Sequence, residues 1–401
     1  MAATALETLS ALEERAGDEL ERTGVPGVAF GVSIGGEKAV GAAGDAAPEQ
    51  SFRVASVTKP FVAALVLTLV QDGLVSLDEP VTRYLPELRL PAGPVTLRQL
   101  LSHQAGLEHE WSTPLVDYGE ADDALERLAR GGPVAASTAP GEWYSYASAG
   151  YYISSAVAAR VTGTTFESAL AARILEPLGL DRTTFAGGDG LAYPRARRGG
   201  GGLWSCVPEL LVFAEHLLGG AGPLTAQSRA EMATAQVAVG DGWYGLGLGI
   251  RALGGRRILE HGGSVPGYRA LLLLVPELGF AFAGLARSNP SRKAIDALRD
   301  LALTTACDLE PVEPEVRTVD RERLAAAAGR YRTHSFEARL SPADSGLRVE
   351  VEEGDERLSA LALPVGDSDF WVFDGDDEGL EIELLEPGLI RVGGMVARRV
   401  G

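Results

Sequence analysis

From Thr58 to Val70 the chain reads TKPFVAALVLTLV, apolar on nearly every face until Gln71. A helix of that pattern cannot lie at a surface with one face in water, so it predicts a buried central helix with the rest of a domain built around it. Ser56 stands at its head as the expected N-cap, and Pro60 falls in the first turn, where a missing N–H costs nothing. The apolar run within residues 61–70 is too short to cross a bilayer, so its enclosure must be protein. At 401 residues the chain exceeds one ordinary core, which implies a large domain with a smaller one, or two of similar size.

The flanking pattern supplies the enclosure. Leu6, Leu9, Leu12 and Leu20 space a helix over residues 5–22 that stops at Gly24 and Pro26. VAFGVSI and KAVGAAG around Gly35-Gly36 read as a β-hairpin, and WYGLGLGI, RRILEHG, YRALLLLVP and GFAFAGLA return to strand before a helix at 290–306. Between them lie turns and short helices, including VTLRQLLSHQAGL, ESALAARILEPLGL and ELLVFAEHLLGG. Strands at both ends with helices between predict one antiparallel sheet flanked by helices, an α/β sandwich rather than a doubly wound nucleotide fold. A Pro- and acid-rich linker at 309–319 divides residues 1–308 from 320–401. In the second part EARLS, LRVEVE, FWVFD, LEIELL and IRVGGMVARRV alternate between Gly/Asp turns, as in a small antiparallel β-domain.

A formal charge of -19 with no basic run repels phosphate backbones and anionic lipid, which excludes nucleic acid and a membrane surface as partners. Cys206 and Cys307 lie far apart without ligand spacing and are read as buried thiols. Residues 1–24 alternate apolar and charged positions where a secretory leader needs a basic start and an unbroken apolar run, so a cytoplasmic protein is expected. The only lysines are Lys38, Lys59 and Lys293, and one of them sits three residues after Ser56.

On a helix, positions i and i+3 share a face, so the Lys59 amine can reach the Ser56 hydroxyl. Serine is a weak nucleophile without a positioned base, and lysine serves as one only when burial or nearby cations disfavour its ammonium form. The partially positive helix N-terminus works in that direction and also favours a developing oxyanion. On these four residues alone, a capped helix with a surface lysine remains the other reading.

GEWYSYASAGYY at 141–152 and ILEHGGSVPGYR at 258–269 extend the pattern. With RVASVTKPF, and in this order, they resemble the serine hydrolase family of class C β-lactamases, penicillin-binding DD-peptidases and related esterases, with its Ser-x-x-Lys, Tyr-x-Asn and Lys/His-x-Gly motifs. The counterparts here are Ser56-Val57-Thr58-Lys59, Tyr146-Ala147-Ser148 and His261-Gly262-Gly263. LVSLDEPVTRYLPEL, GGLWSC and WYGLGLG also match, and the resemblance covers roughly residues 20–300. It implies a β-lactamase/transpeptidase-like fold with Ser56 as the acylated nucleophile. Lys59 and Tyr146 would share the base and proton-return work, the Tyr146 phenol drawn down by Lys59 and by His261. The backbone N–H groups of Ser56 and Ser264 would form the oxyanion hole, with Gly262 and Gly263 letting substrate lie close.

Ser148 replaces the family's usual Asn and His261 the lysine of true β-lactamases, which favours hydrolysis of esters or small amides over β-lactams. The resemblance implies a small-molecule acyl substrate (ester, thioester or amide) and no metal or organic cofactor. It leaves open acyl transfer or peptide cyclisation by a thioesterase in natural-product biosynthesis, a D-amino-acid peptidase or β-lactamase, and a non-catalytic ligand-binding protein. The tail opening AAAAGRYR resembles the lipocalin-like domain of some members, either shaping the site mouth or only stabilising. Tyr144, Tyr151 and Tyr152 are expected in structural roles, His103 as a loop organiser, His216 on an amphipathic helix and His334 in the tail. His109 has no second ligand at metal spacing. The run Gly199–Gly202 lacks the Lys-Ser/Thr of a phosphate loop and is expected as a flexible approach to GGLWS.

Overall fold

The computed structural model describes residues 3–91, 93–108, 135–187, 193–287, 291–354, 356–373 and 379–400. A capping box between Thr4 and Glu7 starts helix α1 (Ala5–Thr23), and Gly24 ends it in the left-handed region. The hairpin follows as β1 (Gly27–Ile34) and β2 (Glu37–Gly44). A two-stranded ribbon pairs β3 (Phe52–Arg53) with β4 (Trp204–Ser205). The remaining strands of the first domain are β5 (Val237–Val239), β6 (Gly242–Tyr244), β7 (Gly249–Leu253), β8 (Arg256–Val265), β9 (Tyr268–Val275) and β10 (Phe280–Ala286).

These strands make one antiparallel sheet in the order β2-β1-β10-β9-β8-β7-β6-β5. The first strand therefore pairs with the last, Phe30 opposite Gly284, as the sequence led us to expect. The alternation of a strand splits β9 between two cores. Leu271, Leu273 and Val275 pack with α1 and with the C-terminal helix of the domain, while Ala270, Leu272 and Leu274 pack with the helical layer on the opposite face.

That layer is centred on α2 (Thr58–Gln71), whose residues Thr58 to Leu69 are all buried. Around it stand α3 (Leu97–Leu101), α4 (Ser148–Thr162) and α5 (Val207–Leu217), and the rings of Phe61 and Phe213 stack 3.8 Å apart. α6 (Ser291–Cys307) covers the other face of the sheet. Both cysteines are free thiols; Cys206 is buried, whereas Cys307 is only half-buried because it ends α6.

Two local expectations change. Ser56 is not the N-cap: it lies in a 3-10 turn, Ala55–Val57, and α2 begins at Thr58 after Val57, with no side-chain cap. The Thr58 hydroxyl closes that turn instead, donating to the Ala55 carbonyl at 2.7 Å and accepting from the Leu203 N–H at 3.1 Å. The glycine run is no flexible approach either. Arg198–Gly201 is a buried helical turn, packed so closely on α4 that a Cβ at Gly200 would stand 2.6 Å from the Tyr152 ring.

After a short helix, Arg321–Ala327, eight antiparallel strands between Gly329 and Val400 close into a barrel. Its interior is filled by Tyr331, Leu340, Val349, Phe370, Ile382, Val392 and their neighbours. The barrel is the expected antiparallel β-domain and fits a lipocalin-like one. Its strand Glu356–Pro364 was not legible, because ERLSALALP carries alanines and leucines where strand formers would mark it. No helix among the described residues is long and apolar enough to cross a membrane.

Candidate active site

Ser56 is held by a backbone that departs from its preferred region one residue earlier. Ala55 has φ 47°, uncommon for a residue with a Cβ, and the half-buried Ser56 follows it in the 3-10 turn that leads into α2. Freed of capping, its hydroxyl lies 3.0 Å from Lys59 Nζ. Lys59 is fully buried, and its amine also reaches the Gly200 carbonyl at 2.6 Å and the Ser148 hydroxyl at 3.3 Å. A neutral amine has two N–H donors and one lone pair. With the Gly200 carbonyl and the Ser148 hydroxyl as acceptors for two N–H groups, the amine stands where, once unprotonated, its lone pair can take the Ser56 proton.

Tyr146 approaches from the loop before α4, with Lys59 Nζ 4.8 Å from its ring centre. Two structures grip that loop. His103, at φ 58°, accepts from the Ser145 N–H through its carbonyl (2.8 Å) and from the Ala147 N–H through Nδ1 (3.0 Å), which is the loop-ordering role expected of it. On the opposite side lie β17 (Leu389–Val392) and β18 (Met395–Val400) of the barrel, joined at Gly393-Gly394. The Gly394 carbonyl accepts from the Tyr146 N–H at 2.8 Å.

The third wall is β8. Its ladder to β7 ends at Glu260, so beyond it that edge pairs with no strand among the described residues. The two-residue turn to β9 makes Val265 and Tyr268 the bonded pair, so the next pair, Ser264 with Arg269, turns its amides outward, and the Ser264 N–H points to that edge. Gly263 is required by contact: a Cβ would collide with the Val54 carbonyl and stand 3.2 Å from the Ser56 amide nitrogen. A Cβ at Gly262 would meet only the Ala270 carbonyl, 4.0 Å away, so no described residue demands its lack of a side chain.

His261 is buried, with Nδ1 2.6 Å from the Gly262 carbonyl, and Nε2 has no hydrogen-bond partner among the described residues. Burial and then the charge of Lys59 push its pKa down to about 3. It is therefore neutral, with Nδ1–H donating and Nε2 bearing a lone pair, and it brings no positive charge to Tyr146. Of the two cations expected to lower that phenol, Lys59 alone is placed to act.

The expected residues Ser56, Lys59, Tyr146, Ser148, His261, Gly263 and Ser264 thus converge on one place. The sequence reading missed the Gly200 carbonyl; four consecutive glycines were its signal, read as flexibility instead of close packing. Tyr144 and Tyr151 are buried, which raises their pKa values, and Tyr151 donates to the Leu101 carbonyl at 2.7 Å. His216, buried on α5, accepts from the Leu224 N–H at 3.1 Å. The His334 N–H donates to Glu108, and His109 lies outside the described residues. Beside the site a cleft of about 360 Å³ opens between the domains, lined by Arg269, Arg292, Glu381, Gly393 and Gly394.

Comparison with known proteins gives the same outline. The family model Beta-lactamase matches residues 10–306. Esterase EstB of Burkholderia gladioli is 39% identical over 145 residues, 32% of this chain and 37% of the esterase, so the match spans little more than a third of that relative. A D-aminopeptidase of Gluconobacter oxydans is 25% identical over 371 residues, 85% of this chain and 68% of that protein. Among solved structures, SurE with D-Leu covers 98% of this chain and 100% of its own at TM-score 0.78 and 23% identity. The octameric penicillin-binding protein homologue from Pyrococcus abyssi covers 97% of this chain and 100% of its own at TM-score 0.66 and 21% identity. The fold is thus shared along nearly the whole chain, barrel included. With most of its length under one family model, the chain belongs to the Beta-lactamase family.

Proposed function

We propose that this chain is a serine hydrolase that cleaves esters or small amides through an acyl-enzyme on Ser56. The observation that carries the reading is the buried Lys59 amine, 3.0 Å from the Ser56 hydroxyl with acceptors for its other protons. As the Ser56 oxygen bonds to the acyl carbon, its proton passes to Lys59. The carbonyl becomes an oxyanion between the N–H groups of Ser56 and Ser264. As the tetrahedral intermediate collapses, the carbonyl re-forms and the leaving bond breaks, Tyr146 giving its phenolic proton to the departing alcohol or amine and taking up the proton held by Lys59. Water then reverses the steps and frees the acid. His261, neutral with a lone pair at Nε2 that no described residue engages, is placed to accept a hydrogen bond from the substrate. The substrate is a small acyl compound.

Hydrolysis of D-amino-acid amides is the second reading, favoured by the D-aminopeptidase match across 85% of this chain. The test is intact-protein mass spectrometry with a serine-reactive phosphonate, comparing wild type with Ser56→Ala. One adduct, lost in the variant, is expected; folded wild type that takes up no label and releases no acid from short acyl esters overturns the proposal. Relative rates on esters and on D- and L-amino-acid amides then separate the two readings.

A further inference from the structure

The hairpin β17–β18 holds three consecutive residues of the tyrosine loop, each by a separate hydrogen bond. The Arg391 Nε–H donates to the Tyr144 carbonyl at 3.1 Å, the Val396 N–H donates to the Ser145 hydroxyl at 3.2 Å, and the Gly394 carbonyl accepts from the Tyr146 N–H at 2.8 Å. Arg391 is buried, 4% exposed, is paired with Glu383 of its own barrel, and lies 5.5 Å from the centre of the Tyr144 ring. Gly394 sits at φ 85°, a backbone conformation that residues with a side chain rarely adopt, and a Cβ there would lie in van der Waals contact with that of Tyr146, 3.5 Å away. A domain that merely shielded core surface needs no buried arginine spent on a carbonyl of the opposing domain.

We infer that the barrel is a working part of the active site: through Arg391, Gly394 and Val396 it sets where Tyr146 stands, with Arg391 and Ser145 as positioning residues. The inference rests on the reading of Tyr146 as the proton carrier. His103 holds the loop through the N–H groups of Ser145 and Ala147, and the hairpin adds the Tyr144 carbonyl, the Ser145 hydroxyl and the Tyr146 N–H, which these two bonds leave unheld. A misplacement of the order of 1 Å in a proton-transfer group costs about 100-fold in rate. Through Tyr146 the hairpin therefore acts on the chemical step.

The experiment measures kcat and KM on a short acyl ester, the thermal midpoint, and the rate of Ser56 phosphonylation, for Ser145→Ala, Arg391→Met, Arg391→Lys and Tyr146→Phe, and for the first two combined with Tyr146→Phe. For Ser145→Ala and Arg391→Met, kcat is expected to fall about 10- to 100-fold with KM nearly unchanged. Arg391→Lys, able to donate to the same carbonyl, should recover part of the loss. Once Tyr146 is Phe, the added substitutions should slow phosphonylation no further, because they act through Tyr146. Undiminished kcat in folded Ser145→Ala and Arg391→Met overturns the inference, as does a further full-sized loss on top of Tyr146→Phe. If Arg391→Met does not fold, Ser145→Ala, which removes one oxygen atom, decides alone. Wild-type kcat in Tyr146→Phe would instead refute the proton-carrier reading, a result distinct from failure of the hairpin variants.

Discussion

Lys59 is the residue on which the chemistry turns, because a buried ammonium is costly unless every proton has an acceptor. Ser148 accepts one of them at 3.3 Å, where the family's usual Asn would place an amide. Ser148→Ala is expected to lower kcat/KM for esters about 10-fold, the worth of one hydrogen bond to a charged or charging group. Steady-state kinetics check it, and an unchanged value would remove Ser148 from the lysine's partners. His261 gives a prediction of opposite character, since its burial is felt in stability. Its folded pKa of about 3 lies below its ordinary 6.5. Above pH 6.5 neither folded nor unfolded chain carries the proton. Below it the unfolded chain takes up a proton that the folded chain refuses, so stability falls as the pH drops from 6.5 towards 3. The thermal midpoint of wild type should therefore drop relative to His261→Asn across that window and run parallel to it above pH 7.

At the scale of elements, α2 was legible from sequence because nothing but enclosure accommodates an apolar run without a polar face. The sheet order followed from strands lying at both ends of the domain. Ser56, Lys59, Tyr146 and His261 could be named because their motifs occur in a fixed order along the chain. What the sequence could not show was the cap: Ser56 and Thr58 are both hydroxyl residues at a helix start, and only the position of Leu203 decides which closes the turn. The neutrality of His261 was equally hidden, since it depends on burial contributed by other strands. β8 supplies the test at this scale. Gly263→Ala puts a methyl against the Val54 carbonyl and must push the strand off Ser56. A stability loss of about 1–3 kcal/mol is expected. The larger effect should be a drop of about 100- to 1,000-fold in kcat as the Ser264 donor leaves its place. Retained kcat would mean that the strand edge takes no part in binding the oxyanion.

The whole molecule is two domains, the first with a core on each face of its sheet and the second with the barrel core, joined by a chain segment without regular structure and by contacts from the barrel. Besides the hairpin bonds, Arg398 donates to the Ser137 carbonyl and the His334 N–H to Glu108. The linker carries Glu313 and Glu315 in the open. A glutamate-specific protease is expected to cut there first, and the two pieces should still co-elute in size-exclusion chromatography with ester hydrolysis intact. Separation of the pieces on clipping alone would show that the linker, not the interface, keeps the barrel in place.

The contact between Gly394 and Tyr146 joins two main-chain atoms, and those of Arg391 and Val396 each use main chain on one side. Such a joint pairs no side chain with another, so beyond Arg391 and Ser145 it leaves little record in side-chain identity. Away from those two residues either domain can drift in sequence while the joint persists, and paired substitutions across it need not arise. A search for co-varying positions between the domains would pass over this interface; the recurrence of a two-glycine turn in the last hairpin is the trace to look for among relatives.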